Sequence, residues 1–167
     1  MGDDNNDRYG TVHHLPDGVV QVRFERRLAH SVETVWAALT KQEQLDAWMP
    51  GVRFEPREGG TYEIWFGGEC EGPAHVSGAV AAFQPPNVLQ LGTIRWALSA
   101  TEDGCLLKFS DVLVFQGPRS RADITNAVLG GWHLYLDRLE DALAGLPARH
   151  DQPEPDYAAR EVPGRPE

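Results

Sequence analysis

The chain has 167 residues, with 25 Asp plus Glu against 15 Lys plus Arg, a formal net charge of -10. That length suits one domain able to bury about two-thirds of the surface its unfolded chain would expose, so covalent staples are not needed. The acidic balance argues against nucleic acid as a partner, because phosphate-backbone binders concentrate basic residues, and no apolar run is long enough to insert in a membrane.

Residues 1–17 carry Asn, Asp and His with few apolar groups and read as a mobile N-terminal arm. They lack the basic segment and apolar run of a signal peptide, and Asn6 stands where a myristoylation site needs Ser or Thr. Cys70 and Cys105 have no metal-type spacing to a second ligand. Two thiols without a secretion signal point to a reducing compartment, so a cytoplasmic location is expected.

From Val19 the pattern changes. Val20, Val22, Phe24 and Arg26 alternate with Gln21, Arg23 and Glu25, the period of a half-buried strand. Ser31 offers a helix N-cap with Glu33 in the first turn, and Val32, Val35, Trp36 and Leu39 fall on one stripe. Leu45 and Trp48 continue into a second short helix that Pro50-Gly51 should end. The middle of the chain reads as strand and turn. Val52 to Glu55, Tyr62 to Phe66, His75 to Gln84, Val88 to Ile94, Arg95 to Ala100 and Leu106 to Phe115 are strand-like, with Glu102-Asp103-Gly104 as a tight turn.

A long helix is expected from Arg121 to Ala144, with Ile124, Val128, Trp132, Leu136, Leu139 and Leu143 on its apolar face. At 1.5 Å per residue it would be about 36 Å long, enough to cross a sheet. Gly145 and Pro147 should stop it. Residues 146–167, with five prolines among charged side chains, read as a disordered tail. The domain proper is therefore expected over 18–145.

The order of strand, two short helices, six strands and long helix is that of the helix-grip fold. Val35-Trp36-Ala37-Ala38-Leu39-Thr40 with Leu45 and Trp48 resembles the first-helix signature of the START-like superfamily often abbreviated SRPBCC. Gly59-Gly60-Thr61-Tyr62-Glu63-Ile64-Trp65-Phe66 and Gly131-Trp132-His133 with Leu136 and Leu139 resemble the glycine-led strand and closing helix of the branch named for the activator of the heat-shock-protein-ninety ATPase. The resemblance covers Val19 to Gly145. It implies an α+β helix-grip fold: a curved antiparallel sheet of six or seven strands wrapped on a long C-terminal helix, with two short helices after the first strand.

A helix laid across a curved sheet leaves a cavity, and Trp48, Tyr62, Ile64, Phe66, Arg95, Trp96, Phe109, Asp111, Val128, Trp132, His133 and Leu136 are the residues expected to line it. Each Trp alone reads equally as core packing, but together they offer flat apolar surface with polar edges. Asp111 shares strand parity with Leu107, Phe109 and Leu113 and should face inward, where it needs a partner such as His75, Arg95 or a hydroxyl. Glu63 has the opposite parity to Tyr62 and Ile64 and should face solvent. His133 lies about 100° round the helix from Trp132, placed either to meet a ligand or to bond a backbone group. Gly130-Gly131 read as small residues allowing the helix a close approach to the sheet or to the N-terminal helices.

The expected function is binding of a hydrophobic or aromatic small molecule without catalysis. A polyketide cyclase or dehydratase-like enzyme, with His133 and Asp111 moving protons, is the alternative, and a chaperone-activator-like protein-interaction domain is a second. No cofactor motif and no metal-ligand set is present in the sequence: the histidines are scattered and the glycine pairs lack the rest of a nucleotide loop. An exposed edge strand would allow a homodimer.

Overall fold

The computed structural model describes residues 7–66, 75–147 and 151–167. Among these residues, eight strands form one antiparallel sheet, joined by three helices and a 3-10 turn. Strand β1 (Thr11–His14) and a 3-10 turn (Pro16–Gly18) lead into β2 (Val20–Leu28), then helices α1 (Val32–Thr40) and α2 (Gln42–Leu45). Strands β3 (Val52–Phe54), β4 (Thr61–Trp65), β5 (His75–Gln84), β6 (Val88–Leu91), β7 (Ile94–Thr101) and β8 (Gly104–Val112) follow, and helix α3 (Arg121–Leu143) closes the domain. The strand order is β1-β2-β8-β7-β6-β5-β4-β3. The sheet is curved and antiparallel and α3 packs against it: the helix-grip architecture. Its eight strands exceed the expected six or seven by β1.

Local chemistry explains the elements. The Ser31 side chain accepts from the Thr34 amide at 3.2 Å and caps α1, and Ser120 does the same for α3 through the Asp123 amide at 3.0 Å. The Trp48 indole donates to the Ala38 carbonyl at 2.9 Å, tying the end of α2 back to α1. Strand alternation sorts the two sheet faces. Val20, Val22, Phe24 and Leu28 on β2, Trp96 and Leu98 on β7, and Leu107 and Phe109 on β8 are buried, while Arg23, Glu25, Arg95 and Lys108 are exposed. On α3 the most deeply buried row is Thr125, Leu129, Trp132, Leu136 and Leu139. Burying each of these leucines contributes roughly 2 kcal/mol relative to exposure. In its first half the buried row runs one residue later than the expected stripe, so Ile124 and Val128 are only half-buried.

The ends of the chain differ from the sequence-based expectation. Within the arm expected to be mobile, Thr11–His14 pairs with Val20–Arg23 of β2. Within the tail expected to be disordered, Tyr157 is 2 % exposed and takes the Gly10 amide on its hydroxyl at 2.8 Å. Arg165 bonds the Asn126 side chain of α3 and the Tyr157 carbonyl, and the His14 imidazole meets the Gly164 carbonyl at 2.6 Å. One anchoring aromatic, the Arg165 guanidinium and the His14 contact offset the ordering cost that polar composition alone would leave unmet. Gly130 also differs from expectation: a Cβ there would meet Glu154 and Pro155 of the tail, while one on Gly131 would meet no atom within 4 Å.

Candidate functional site

The inner face of the sheet is open at one end. Tyr62 and Ile64 on β4 stand opposite Gly78 and Val76 on β5, and directly opposed residues share a face. Tyr62 and Ile64 are buried, yet Val76 is 40 % exposed and Gly78 is exposed. Two glycines make room for the Tyr62 ring. A Cβ on Gly78 would stand 3.1 Å from it, and one on Gly92, in the turn between β6 and β7, would collide with the hydroxyl. Gly92 also holds a φ of 58°, which a side chain tolerates poorly.

Behind this opening the rings pack in contact. Trp96 and Phe109, cross-strand partners on β7 and β8, lie 5.5 Å apart. Trp132 of α3 sits 4.5 Å from Phe109 and 6.0 Å from Trp96, and Phe66 meets Trp132 edge-on at 6.0 Å. Tyr135, one turn further along α3, is 5.8 Å from Trp132.

Asp111 supplies the polar end. Its Oδ2 accepts from the Trp132 indole at 3.0 Å and its Oδ1 from the Thr93 hydroxyl at 2.8 Å. Burial pushes the carboxyl above its usual range, opposed by these two donors and by the Val112 amide. The residue remains half-buried rather than sealed. The Tyr62 phenol is pushed up by burial and by the Asp111 charge, and its hydroxyl forms no hydrogen bond among the described residues. The buried Trp96 indole N–H is likewise without a partner there.

The opposite flank of α3 is arranged differently. His133 Nδ1 lies 2.8 Å from the Tyr157 hydroxyl and its Nε2 3.5 Å from Asp137. Tyr9 packs on both rings at 4.8 and 5.6 Å, and the Arg160 guanidinium lies 3.4 Å over Tyr9. Arg26, 3 % exposed, donates to Asp137 at 2.7 Å and to Glu140 at 3.3 Å, and Arg8 joins both carboxylates. Burial pushes His133 down to about 4, a shift the Asp137 charge opposes and the Arg26, Arg8 and Arg160 charges reinforce. Burial pushes Tyr157 up to about 12.

Among the residues expected in the cavity, Tyr62, Phe66, Trp96, Phe109, Asp111 and Trp132 come together, and Ile64 shares the Tyr62 face. Leu136 is core on α3 and Val128 half-buried. Three expectations are corrected. Arg95 is exposed on the outer face, bonded to Gln90 at 3.0 Å, because Trp96 takes the inner position of the alternation. His133 belongs to the Tyr157 flank, turned away from Asp111 by the helical step. Trp48 serves the α1–α2 corner. His75 is no partner of Asp111 either, since it stacks on Trp65 at 4.5 Å and faces Glu63 at 3.6 Å on the solvent side. Thr93, Gly78, Gly92 and Tyr135 escaped sequence reasoning: the strand expected over Val88 to Ile94 ends at Leu91, and Gly92-Thr93 form the turn into β7. Gly67-Gly68 and Cys70 lie outside the described residues, whereas Cys105 is a free, buried thiol that burial pushes up.

Two hollows lie elsewhere. One of about 850 Å³ runs beside β1 and β2 along Arg8, Tyr9, His13, Arg23 and Arg26, and one of about 440 Å³ lies between the start of α3 and the tail. In the first, Arg8 and Arg26 are engaged by Asp137 and Glu140, Arg23 by Gln21 and His13 by Thr11, which leaves these groups committed within the protein. Among the described residues no three His, Cys, Asp or Glu side chains gather as metal ligands, and no helix is long and apolar enough to cross a membrane.

Known proteins agree with this architecture. No curated protein matches the chain. The solution structure of CalU16 from Micromonospora echinospora is 24 % identical, covers 92 % of this chain and 81 % of its own, and has a TM-score of 0.65. A conserved protein of unknown function from Enterococcus faecalis is 22 % identical, covers 92 % and 88 %, and scores 0.62. A protein from Rhodobacter sphaeroides is 27 % identical, covers 75 % and 93 %, and scores 0.55. These likenesses concern the fold. The model of the family "Activator of Hsp90 ATPase homolog 1-like protein" matches residues 29–144, from the approach to α1 through the end of α3, and the chain belongs to that family.

Proposed function

We propose that this domain binds an apolar, aromatic small molecule in the groove between α3 and the open end of the sheet, without transforming it. The observation that carries this reading is an aromatic wall of Phe66, Trp96, Phe109, Trp132 and Tyr135 beside an inner sheet face left exposed at Val76. Ligand sites of this kind are mostly apolar with a few orienting polar groups, a role open to Asp111 and Tyr62. Binding is favoured over proton-transfer catalysis because Asp111 and His133 are held by different partners. Asp111 is bonded to Trp132 and Thr93, and His133 to Tyr157. The test is a titration with 2-methylnaphthalene followed through the indole N–H resonances. Saturable shifts at Trp132 and Trp96 with Trp48 unmoved are expected; unmoved Trp132 and Trp96 signals would overturn the reading.

A further inference from the structure

Resting on that groove reading, we infer that the Asp111 end of the groove selects an uncharged ligand that brings a hydrogen-bond donor, such as an aromatic alcohol, and disfavours an anionic group at the same position. The geometry is that of a polar corner built at one end of the sheet. The Gly92-Thr93 turn places the Thr93 hydroxyl on Asp111 Oδ1 and leaves space for the Tyr62 hydroxyl at Gly92. From the other wall the Trp132 indole reaches Asp111 Oδ2. An indole N–H can only donate, so at this oxygen Asp111 must act as acceptor.

A carboxylate offers about four acceptor positions, and the donors around Asp111 do not fill them all. Asp111 is half-buried and its partner Thr93 is exposed, so a further donor can still reach it. A ligand hydroxyl does this by donating to Asp111 while accepting from the Tyr62 hydroxyl, which has no other partner among the described residues. One ligand oxygen then satisfies two protein groups, and no charge has to be desolvated. An ionised carboxylate in that place would face Asp111 with no donor to give it. Among the described residues no cationic side chain pairs with Asp111, and Arg95, the expected counter-ion, points to the outer face. The nearest guanidinium stacked on the groove rings is Arg138, 5.6 Å from Tyr135 and one turn beyond it, so the selection applies to the Asp111 end.

The corner also has a purely structural reading, in which Asp111 serves only to satisfy Trp132 and Thr93. The two readings differ in ligand discrimination. The experiment compares 2-naphthol, 2-methylnaphthalene and 2-naphthoate at neutral pH, probes of one ring system that differ at a single substituent. Binding of 2-naphthol about tenfold tighter than 2-methylnaphthalene is expected, the scale of one net hydrogen bond, with 2-naphthoate weakest. In Asp111→Leu the preference for the alcohol should vanish while 2-methylnaphthalene still binds; if that variant does not fold, Tyr62→Phe should lose part of the same preference. Equal binding of alcohol and hydrocarbon, or a preference that survives Asp111→Leu, would overturn the inference and leave the groove standing. Failure of all three probes to move the Trp132 and Trp96 signals would remove the groove as well.

Discussion

Trp132 and His133 are neighbours in sequence, yet they divide the molecule into two polar neighbourhoods of opposite character. Trp132 points to Asp111 across an aromatic wall, where two donors, the Tyr62 hydroxyl and the Trp96 indole, find no partner among the described residues. His133 points to Tyr157, where the hydroxyl, the imidazole, two arginines and two acids interlock, with Arg26 Nε the one atom of the cluster that is buried without a partner among the described residues. A polar cluster whose charges pair with one another holds a fold together. One that leaves donors and a reachable carboxylate unfilled, against apolar surface, is arranged for something else. Substitutions on the His133 flank should therefore act on stability, and substitutions on the Trp132 flank on binding.

The largest expected effect tests the first half. Arg26 is almost wholly buried between Asp137 and Glu140. Removing one partner of a buried ionic cluster leaves uncompensated charge, so Arg26→Ala should cost about 3–5 kcal/mol in urea unfolding, with groove binding kept in the folded fraction. Tyr157→Phe comes next. It leaves the Gly10 amide and His133 Nδ1 without their common oxygen and should cost about 1–3 kcal/mol. Were Tyr157→Phe to alter the affinity for 2-methylnaphthalene with stability unchanged, the division between the flanks would be wrong.

The same flank should shape the pH dependence. His133 titrates in the fold near 4, below its ordinary 6.5, so between those values the unfolded chain binds more protons than the native one. Its contribution is present above pH 6.5 and is lost as pH falls through about 4. Tyr157 is shifted the other way, to about 12 from 10, so its contribution is present below pH 10 and is lost as pH rises through about 12. Unfolding followed across pH should give a plateau between these limits. In Tyr157→Phe the alkaline shoulder should disappear, and an unchanged shoulder would show that another group controls it.

How much of this was legible in the sequence follows from which forces are local. Alternation along β2, β7 and β8, the serine caps and the long helix are periodic or nearest-neighbour signals, and they identify the fold and the inward aspartate. Adjacent pairs carry the ambiguity. Arg95 and Trp96 cannot both face inward on a strand, and Trp132 and His133 cannot both face the groove from a helix. The ends of the chain were the other blind spot. Tyr157 lies in a segment whose composition suits disorder, and its anchoring depends on Gly10 and His133, 147 and 24 residues away. No local pattern announces such a contact. Nor could the sequence show Thr93 meeting Asp111, since a turn residue's partner depends on how two strands register.

The smallest effect gives the sharpest contrast, because Gly130 and Gly131 repeat the comparison without any polar group. Both lie inside α3, where Gly is less favourable than Ala by about 1 kcal/mol. A Cβ on Gly131 meets nothing within 4 Å, so Gly131→Ala should recover most of that difference and raise the unfolding midpoint. A Cβ on Gly130 stands 3.1 Å from a Glu154 carboxylate oxygen and 3.5 Å from the Pro155 carbonyl. The side chain of Glu154 can yield, but only by loosening the tail against the helix, so Gly130→Ala should gain less, by a few tenths of a kcal/mol. Deleting residues 151–167 removes that neighbour, and on the shortened chain the two substitutions should become equivalent. If they are already equivalent in the full chain, the tail does not press on α3 at Gly130. The closed character of that flank would then rest on Tyr157 and the ion pairs alone.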